Sequence, residues 1–265
     1  MPFVAVRGLN VYYERQGTGP RLLYISGSGG DLRSKPSVFD GPLGAEFDLL
    51  AYDQRGLGQT GGPAGDYTMA DYAEDANGLL EALGWDRCLV IGVSFGGMVA
   101  QEFALRHPER VERLVLACTS PGGPLPSYPL HEFQGLAPRE RAVASLLVSD
   151  TRSAALREAD PERFERMIQD SLARMAVGAG EAGRAEGSAR QLEARRHHDT
   201  FERLGSLTMP VYICGGRYDG IAAPANLEAM QKEIAGSTME LFEGGHLFLL
   251  QDRAAWPKVI AFLLG

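Results

Sequence analysis

The stretch Val90–Met98, VIGVSFGGM, places a single hydroxyl between two apolar runs and surrounds it with glycines. The run that ends at Val93 is continuously apolar, which is typical of a strand covered on both faces. The residues after Ser94 are typical of a helix. Within the stretch, Gly92–Gly96 is G-x-S-x-G, a pattern in which a tight strand-to-helix turn presents a nucleophilic hydroxyl at the end of a sheet. We therefore expect Ser94 to be a nucleophile.

Strand-like and helix-like segments alternate on both sides of this serine. Apolar side chains recur at helical spacing over residues 69–83, and further helices are predicted over residues 95–107, 224–234 and 252–265. Such alternation predicts an α/β fold with a mostly parallel sheet and helices on both faces. The predicted strands are FVAV, NVYYER, RLLYIS, FDLLAYD, RCLVIGV, VERLVLAC, PVYICGG and TMELFEG.

The alternation stops between Pro121 and Met209, where no buried strand is found. This part is rich in Arg, Glu and Ala, and its pattern indicates two or three amphipathic helices, the last of them over residues 188–204, with a loop at residues 178–188. We interpret residues 121–209 as a helical cap inserted into one α/β core. The core then consists of residues 1–120 and 210–265.

Composition narrows the classes of partner. The chain has 265 residues, 45% of them hydrophobic, and a formal net charge of -8. An acidic protein is a poor partner for nucleic acid or an anionic membrane surface, so we expect neither and favour a small-molecule substrate. The N-terminal residues lack the pattern of a signal peptide, and no run approaches the roughly 18 apolar residues of a membrane span, so the expected location is cytoplasmic.

Three cysteines, Cys88, Cys118 and Cys214, lie in or beside apolar runs. An odd number at such positions indicates buried thiols in a reducing compartment rather than a disulfide framework. Neither a CxxC pair nor a Cys/His cluster is present, so no metal site is expected.

A serine hydroxyl needs a base to take its proton, and the base needs an acid to orient it. Of the five histidines, His246 alone follows a strand and two glycines near the end of the core. His107 closes a helix, His131 lies in the insertion, and His197 and His198 lie in a charged segment, where solvent exposure is expected. His246 is therefore the predicted base.

The acid should also follow a strand, because the carboxyl ends of parallel strands meet at one edge of the sheet. Asp219 lies just past the strand in PVYICGGRYD, whereas the loop after the preceding strand, ACTSPGGP, contains no acidic residue. Asp219 is the predicted acid, the alternative being a helix cap. The order Ser94, Asp219, His246 is the one associated with G-x-S-x-G.

Together these segments resemble the α/β-hydrolase superfamily, in its branch of serine esterases, lactonases and C–C hydrolases. The resemblance extends over nearly the whole chain and rests on DQRGLGQT, GVSFGG, PERVERLVL, GGRYD and GGH in that order. It implies an eight-stranded, mostly parallel sheet with a cap inserted after the sixth strand. Asp53 and Arg55 of the first motif are interpreted as structural residues that satisfy backbone groups below the active-site loops.

The oxyanion of an acyl transfer needs hydrogen-bond donors that are already in place. One should be the backbone N–H of Phe95 and the other should come from the loop after the third strand, where Ser28 has the matching position. Many relatives have His-Gly where this chain has Ser26-Gly27. The change removes an imidazole that braces the loop but leaves the backbone donor, and we expect Ser26 or a water to replace the brace.

The parts predict a serine hydrolase that cleaves a small carboxylic ester or lactone through an acyl-enzyme, with no cofactor. The resemblance also allows hydrolysis of a carbon–carbon bond in a dienoic ketoacid, perhydrolysis without a cofactor, or a receptor that binds its ligand without turnover. Gly27, Tyr128, Phe133 and Leu136 are candidates for substrate contact. The last three could equally pack the insertion onto the core.

Overall fold

Eight strands form one sheet in the computed structural model of the protein, which describes residues 2–265. Their order is β1-β2-β4-β3-β5-β6-β7-β8; β2 is antiparallel to both of its neighbours, and β4 to β8 run parallel to β3. The expected mostly parallel, eight-stranded α/β sheet is confirmed. The strands are β1 (Phe3–Val6), β2 (Leu9–Gln16), β3 (Arg21–Ile25), β4 (Asp48–Tyr52), β5 (Cys88–Val93), β6 (Val111–Ala117), β7 (Val211–Gly216) and β8 (Thr238–Phe242).

Helices cover both faces of this sheet because the central strands are apolar on both sides. The helices α2 (Met69–Ala82), α3 (Phe95–Arg106) and α8 (Pro224–Glu233) bury their apolar stripes on one face. The opposite face is covered by α1 (Leu43–Glu46), α9 (Phe248–Gln251) and α10 (Ala255–Leu264). Burial on both faces fixes the strand ends, and with them the loops that carry the candidate site.

Four helices lie between β6 and β7, and we call this segment the helical insertion. They are α4 (Pro138–Ser149), α5 (Ser153–Ala159), α6 (Pro161–Ala176) and α7 (Arg184–Arg196). The prediction of two or three helices was therefore too low. Helices α4 and α6 share a small apolar cluster of Ala142, Leu146, Phe164 and Ile168. That cluster is separate from the two on the sheet, as expected of an insertion rather than a continuation of the core.

Helix α7 differs from its prediction at both ends. It begins at Arg184, inside the predicted loop, and includes Gly187 because a Cβ at that position would overlap the carbonyl oxygen of Gly56. It ends at Arg196, where a helix through Leu204 was predicted. The chain turns there because Asp199 forms a backbone bridge with Gly122.

Residues 2–265 include no helix that is both long and apolar enough to cross a bilayer. Within the same residues, no group of three or more His, Cys, Asp or Glu side chains is arranged to hold a metal ion. The three cysteines are buried and unbridged, as predicted, and burial raises the pKa of the Cys88 thiol to about 12.

Candidate active site

Ser94 lies at the turn between β5 and α3, at the carboxyl edge of the sheet. Its backbone has φ +56° and ψ -118°, a left-handed conformation that costs a residue with a side chain about 1–3 kcal/mol. Hydrogen bonds on both sides hold it there: the Ser94 N–H donates to the carbonyl of Ala117 at 2.8 Å, and the Thr119 hydroxyl donates to the carbonyl of Ser94 at 2.8 Å. The predicted tight turn is therefore present.

The two glycines of the motif permit this turn by their lack of a side chain. A Cβ at Gly92 would overlap the carbonyl oxygen of Gly96, and a Cβ at Gly96 would overlap that of Ile25 in the neighbouring strand β3. Both overlaps are with backbone, which cannot move away as the end of a flexible side chain can. The close packing of β3, β5 and α3 thus explains the glycine positions that the motif shows.

The structure brings the three predicted polar side chains into one hydrogen-bonded chain. His246 Nε2 lies 2.8 Å from Ser94 Oγ, and His246 Nδ1 lies 2.8 Å from Asp219 Oδ2. A carboxylate only accepts hydrogen bonds, so Nδ1 carries the proton and Nε2 is left to accept the serine hydroxyl. The imidazole is only 12% exposed, and the carboxyl group of Asp219 is fully buried.

Asp219 is held by backbone groups of its own loop. Its Oδ1 accepts the N–H groups of Ile221 at 2.8 Å and Ala222 at 3.0 Å, while Oδ2 faces the imidazole. Three hydrogen bonds to one carboxylate fix its orientation.

The end of α4 holds the loops that carry both the imidazole and the carboxylate. The N–H of His246 donates to the carbonyl of Ser149 at 2.6 Å, and the N–H of Thr151 donates to the carbonyl of Tyr218 at 2.8 Å. A Cβ at Gly245 would overlap the Ser149 carbonyl oxygen, so a glycine is required beside the histidine. The sequence carries no signal for this contact, because backbone groups make it.

The loop after β3 lies directly against the nucleophile. A methyl group on Gly27 would lie 3.4 Å from Ser94 Cβ and 4.0 Å from its Oγ. Within residues 2–265, no acceptor is found for the backbone N–H of Ser28 or of Phe95, the two predicted oxyanion donors.

Gln54 supplies a brace for this loop that the sequence analysis did not identify. Its amide Nε2 donates to the carbonyl of Ser26 at 2.8 Å and lies 3.3 Å from the Ser26 hydroxyl. The amide of a residue after β4 thus supports the loop at Ser26. On the other side of the loop, the Gly29 N–H donates to Gln191 Oε1 of α7 at 2.8 Å.

Asp53 satisfies backbone groups of neighbouring loops, as predicted, whereas Arg55 pairs with a side chain instead. Asp53 accepts the N–H groups of Leu32 and Gln59, both at 2.8 Å, and its burial raises the pKa of its carboxyl group to about 6. Arg55 binds both carboxylate oxygens of Asp75, with Nε–Oδ2 at 2.6 Å and Nη2–Oδ1 at 2.7 Å. These contacts connect the loops below the site to α2.

The candidate substrate residues of the insertion are half-buried beside the loop that carries the acid. The Tyr128 N–H donates to the carbonyl of Ile221 at 2.8 Å, and the rings of Tyr128 and Phe133 lie 5.6 Å apart. The N–H of Leu136 closes a turn on the carbonyl of Phe133. Their contact with a substrate remains a prediction.

One face of α7 and the residues after it carry buried polar groups that the sequence analysis assigned to solvent or passed over. Gln191 is 1% exposed, Arg195 is 5% exposed, and His198 is 5% exposed. The prediction that His198 is solvated was wrong, because the chain turns inward after α7 and His198 Nε2 lies 3.1 Å from the carbonyl of Ser120. Burial lowers the pKa of His198 to about 4, so its imidazole is neutral at pH 7.

Comparison with known proteins agrees with this fold. The family described as alpha/beta hydrolase fold matches residues 20–252. The chain therefore belongs to the α/β-hydrolase family, and the resemblance given by its motifs is confirmed.

Individual relatives lie within the same family of hydrolases. The poly(3-hydroxyalkanoate) depolymerase of Ectopseudomonas oleovorans is 27% identical over 246 residues, covering 91% of this chain and 83% of that protein. The 3-oxoadipate enol-lactonase 2 of Acinetobacter baylyi is 28% identical over 220 residues, covering 81% and 78%. The crystal structure of an enol-lactonase from Burkholderia xenovorans LB400 superposes with a TM-score of 0.80 at 26% identity and covers 99% of both chains.

Proposed function

We propose that this protein is a serine hydrolase that cleaves a small carboxylic ester or lactone through an acyl-enzyme intermediate. The observation that carries the proposal is the continuous chain from Asp219 through His246 to Ser94, in which both contacts are 2.8 Å. Hydrogen-bond contact between a nucleophile, its base and an orienting acid is the arrangement that activates a serine hydroxyl.

In the first half of the reaction, Ser94 Oγ attacks the carbonyl carbon of the substrate and its proton passes to His246 Nε2. The carbonyl oxygen becomes negative and accepts hydrogen bonds from the backbone N–H groups of Phe95 and Ser28. A side chain on Gly27 would lie against Ser94. Because glycine has none, the space beside the hydroxyl is left for the substrate. Donors fixed in advance at such an oxygen typically contribute about 2.7–4 kcal/mol each.

In the second half, the His246 imidazolium protonates the leaving alkoxide, and the C–O bond breaks to give the Ser94 acyl-enzyme. Water then loses a proton to His246 and attacks the acyl carbon, which releases the acid and restores the serine. Asp219 holds the ring with Nδ1 toward it in both halves and stabilises the imidazolium. In a lactone the alkoxide remains part of the product, so one hydroxy acid is released.

Three relatives that cover most of this chain support an ester or lactone as the substrate. Two of the similar proteins are named enol-lactonases and one is named a depolymerase. The contacts of Asp219 and His246 support a serine as the nucleophile. Other branches of the superfamily use an aspartate at that position.

The test is hydrolysis of a panel of short- and long-chain esters, lactones and dienoic ketoacids by the protein and by Ser94→Ala. We expect ester or lactone turnover, and a loss of about 10⁴-fold or more in kcat for the variant. The exposed Ser206→Ala is the matched control and should keep full activity. A fluorophosphonate should label Ser94 and should fail to label His246→Ala.

Three outcomes would overturn the proposal. Equal turnover by Ser94→Ala would exclude Ser94 as the nucleophile. Turnover of the dienoic ketoacids alone would assign carbon–carbon bond hydrolysis. Binding of a panel compound without turnover would assign a receptor.

A further inference from the structure

We propose that two buried glutamines, Gln54 of the core and Gln191 of α7, are positioning residues that hold the backbone N–H of Ser28 in place as an oxyanion donor. The proposal rests on the hydrolase function proposed above and concerns how one donor of that reaction is fixed. It depends on three observations: a glycine-rich turn around Ser28, a glutamine amide bound on each side of it, and the opposite ends of the amide that the two glutamines use.

Ser28 lies in a turn of residues 27–30, which begins against the nucleophile. The Gly30 N–H donates to the carbonyl of Gly27 at 3.2 Å, and a methyl group on Gly27 would lie 3.4 Å from Ser94 Cβ. The other three residues of the turn are glycines, and Gly29 has a φ of +71°. Glycines populate many backbone conformations unless contacts select one. The direction of the Ser28 N–H therefore depends on what holds the turn.

Gln54 holds the chain where it enters the turn. Its Nε2 donates to the carbonyl of Ser26 at 2.8 Å, which fixes the peptide group between Ser26 and Gly27. Gln54 is 1% exposed, and its Oε1 has no donor among residues 2–265. Gln54 therefore acts on the turn through the donor end of its amide.

Gln191 holds the chain on the other side of Ser28. Its Oε1 accepts the Gly29 N–H at 2.8 Å, which fixes the peptide group between Ser28 and Gly29. Gln191 is also 1% exposed, and its Nε2 has no acceptor within residues 2–265. In contrast to Gln54, it acts on the turn through the acceptor end of its amide.

The peptide group between these two carries the proposed donor. Its carbonyl, that of Gly27, accepts the Gly30 N–H, and its N–H is that of Ser28. In a planar trans peptide the N–H points away from the carbonyl, so fixing the neighbouring groups and the carbonyl also sets the N–H direction. Donors contribute most to catalysis when they are in place before the reaction. The two amides therefore supply the fixed geometry that a glycine-rich turn lacks.

Helix α7 keeps Gln191 in position because it packs directly on the core. Gly187 and Gln191 are four residues apart and share one face of the helix. A Cβ on Gly187 would overlap the carbonyl oxygen of Gly56, so the two backbones are in contact there. The helical insertion thus contributes to the oxyanion site through one side chain, although it supplies no oxyanion donor itself.

Gln54→Met and Gln191→Met test the two contacts, since each removes an amide and keeps a side chain of similar length. On the best ester of the panel we expect kcat to fall by about tenfold or more in each variant, with KM within about threefold, because a misdirected donor is lost mainly in the transition state. Rates are counted per site that a fluorophosphonate labels to completion, so unfolded protein does not contribute. The exposed Gln231→Met is the matched control and should keep full activity.

A trifluoromethyl ketone tests the oxyanion donor directly. Ser94 Oγ adds to its carbonyl carbon, the serine proton passes to His246 Nε2, and the carbonyl oxygen becomes the anion that the donors bind. In both methionine variants the inhibition constant should rise by the same factor by which kcat/KM falls. A loss of fold stability alone would leave the inhibition constant of the folded sites unchanged.

Glutamate substitutions distinguish the two ends of the amides. A carboxyl group offers an acceptor in both protonation states but a donor only when it is protonated. Gln191→Glu should therefore keep kcat within about threefold from about pH 5 to about pH 9. In Gln54→Glu, burial raises the pKa of the introduced carboxyl group, and kcat relative to the unmodified protein should fall as the pH rises and the proton is lost. The same ratio for Gln54→Met should be low at every pH.

The outcomes separate this inference from the proposed function. Unmodified kcat and inhibition constants in either methionine variant would overturn the positioning role and leave the hydrolase proposal standing. A fall with rising pH in Gln54→Glu beside full activity in Gln54→Met would assign the effect to charge alone and would also overturn it. Absence of turnover of every panel compound by the unmodified protein would overturn the hydrolase proposal, and this inference with it.

Discussion

Arg55 below the strand-end loops and Arg195 in the helical insertion are almost equally buried, with 6% and 5% of their surfaces exposed. Arg55 binds both oxygens of Asp75 through Nε and Nη2, whereas the same edge of Arg195 has no acceptor in the described residues. The two arginines therefore differ in whether the protein supplies the acceptor for a buried cation. A donor pair that the chain completes itself stabilises the fold, whereas one that it leaves incomplete costs stability.

The polar groups at Ser94 find their hydrogen-bond partners within the protein, as the guanidinium of Arg55 does. Asp219 receives three hydrogen bonds, and its partner His246 contacts Ser94 in the structure without substrate. Such a chain does not have to reorganise when substrate binds, which is a main source of catalytic power. The protein thus combines a hydrogen-bonded chain at Ser94 with a face of α7 whose polar groups are only partly paired.

Breaking the prearranged chain should have the largest effect. In Asp219→Asn an amide N–H would face His246 Nδ1, so the ring would carry its proton on Nε2 and could not accept the serine proton. We expect kcat on the best ester to fall by about 10⁴-fold, with a melting temperature near that of the unmodified protein. Activity within tenfold of the unmodified protein would show that Asp219 does not orient the base.

The second largest effect is expected in the free energy of unfolding, where variants of Arg55 and Arg195 should differ. Arg55→Met leaves the buried carboxylate of Asp75 with only the contact from Arg7, and we expect a loss of about 3 kcal/mol in the free energy of unfolding. Arg195→Met leaves no carboxylate behind, so its loss should be under about 1 kcal/mol, or the variant should be more stable. Urea unfolding of both variants measures the difference, and equal losses would contradict the comparison.

The smallest effect is expected in the pH dependence of stability and concerns His198. Its Nε2 has a hydrogen-bond partner, and its Nδ1 has none among residues 2–265. Because burial lowers the pKa of His198 to about 4 from 6.5, the unfolded chain binds the proton more tightly. The stability from this residue is full above about pH 6.5 and is lost as the pH falls toward 4, with a loss of about 2 kcal/mol already at pH 5. Unfolding of His198→Gln should lack this loss. The exposed His197→Gln is the matched control, and an unchanged pH dependence in His198→Gln would refute the prediction.

The sheet and the three polar side chains at Ser94 could be predicted because each requires particular residue types at particular positions in the sequence. A strand buried on both faces needs a continuous apolar run, and the tight turn needs Gly92 and Gly96. His246 and Asp219 could be identified because each lies within a few residues of the end of a strand, and strand ends meet at one edge of a parallel sheet.

The face of α7 could not be predicted in the same way. Gln191, Arg195 and His198 are polar, and a buried polar face has the same residue pattern as a solvated one. Gly187 favoured a loop because glycine is common there. The close approach of Gly56, which explains a glycine within α7, is not visible in the sequence. The contact of Ser149 with His246 is made by backbone groups, which every sequence provides.

The contact at the end of α4 restricts how a substrate can reach Ser94. The Ser149 carbonyl and the Thr151 N–H are bonded to the loops that carry the base and the acid. If the insertion swung outward at this junction, it would pull both loops with it and separate the imidazole from the hydroxyl. Any motion of the insertion that keeps the imidazole and the hydroxyl in contact must therefore leave the junction of α4 and α5 in place.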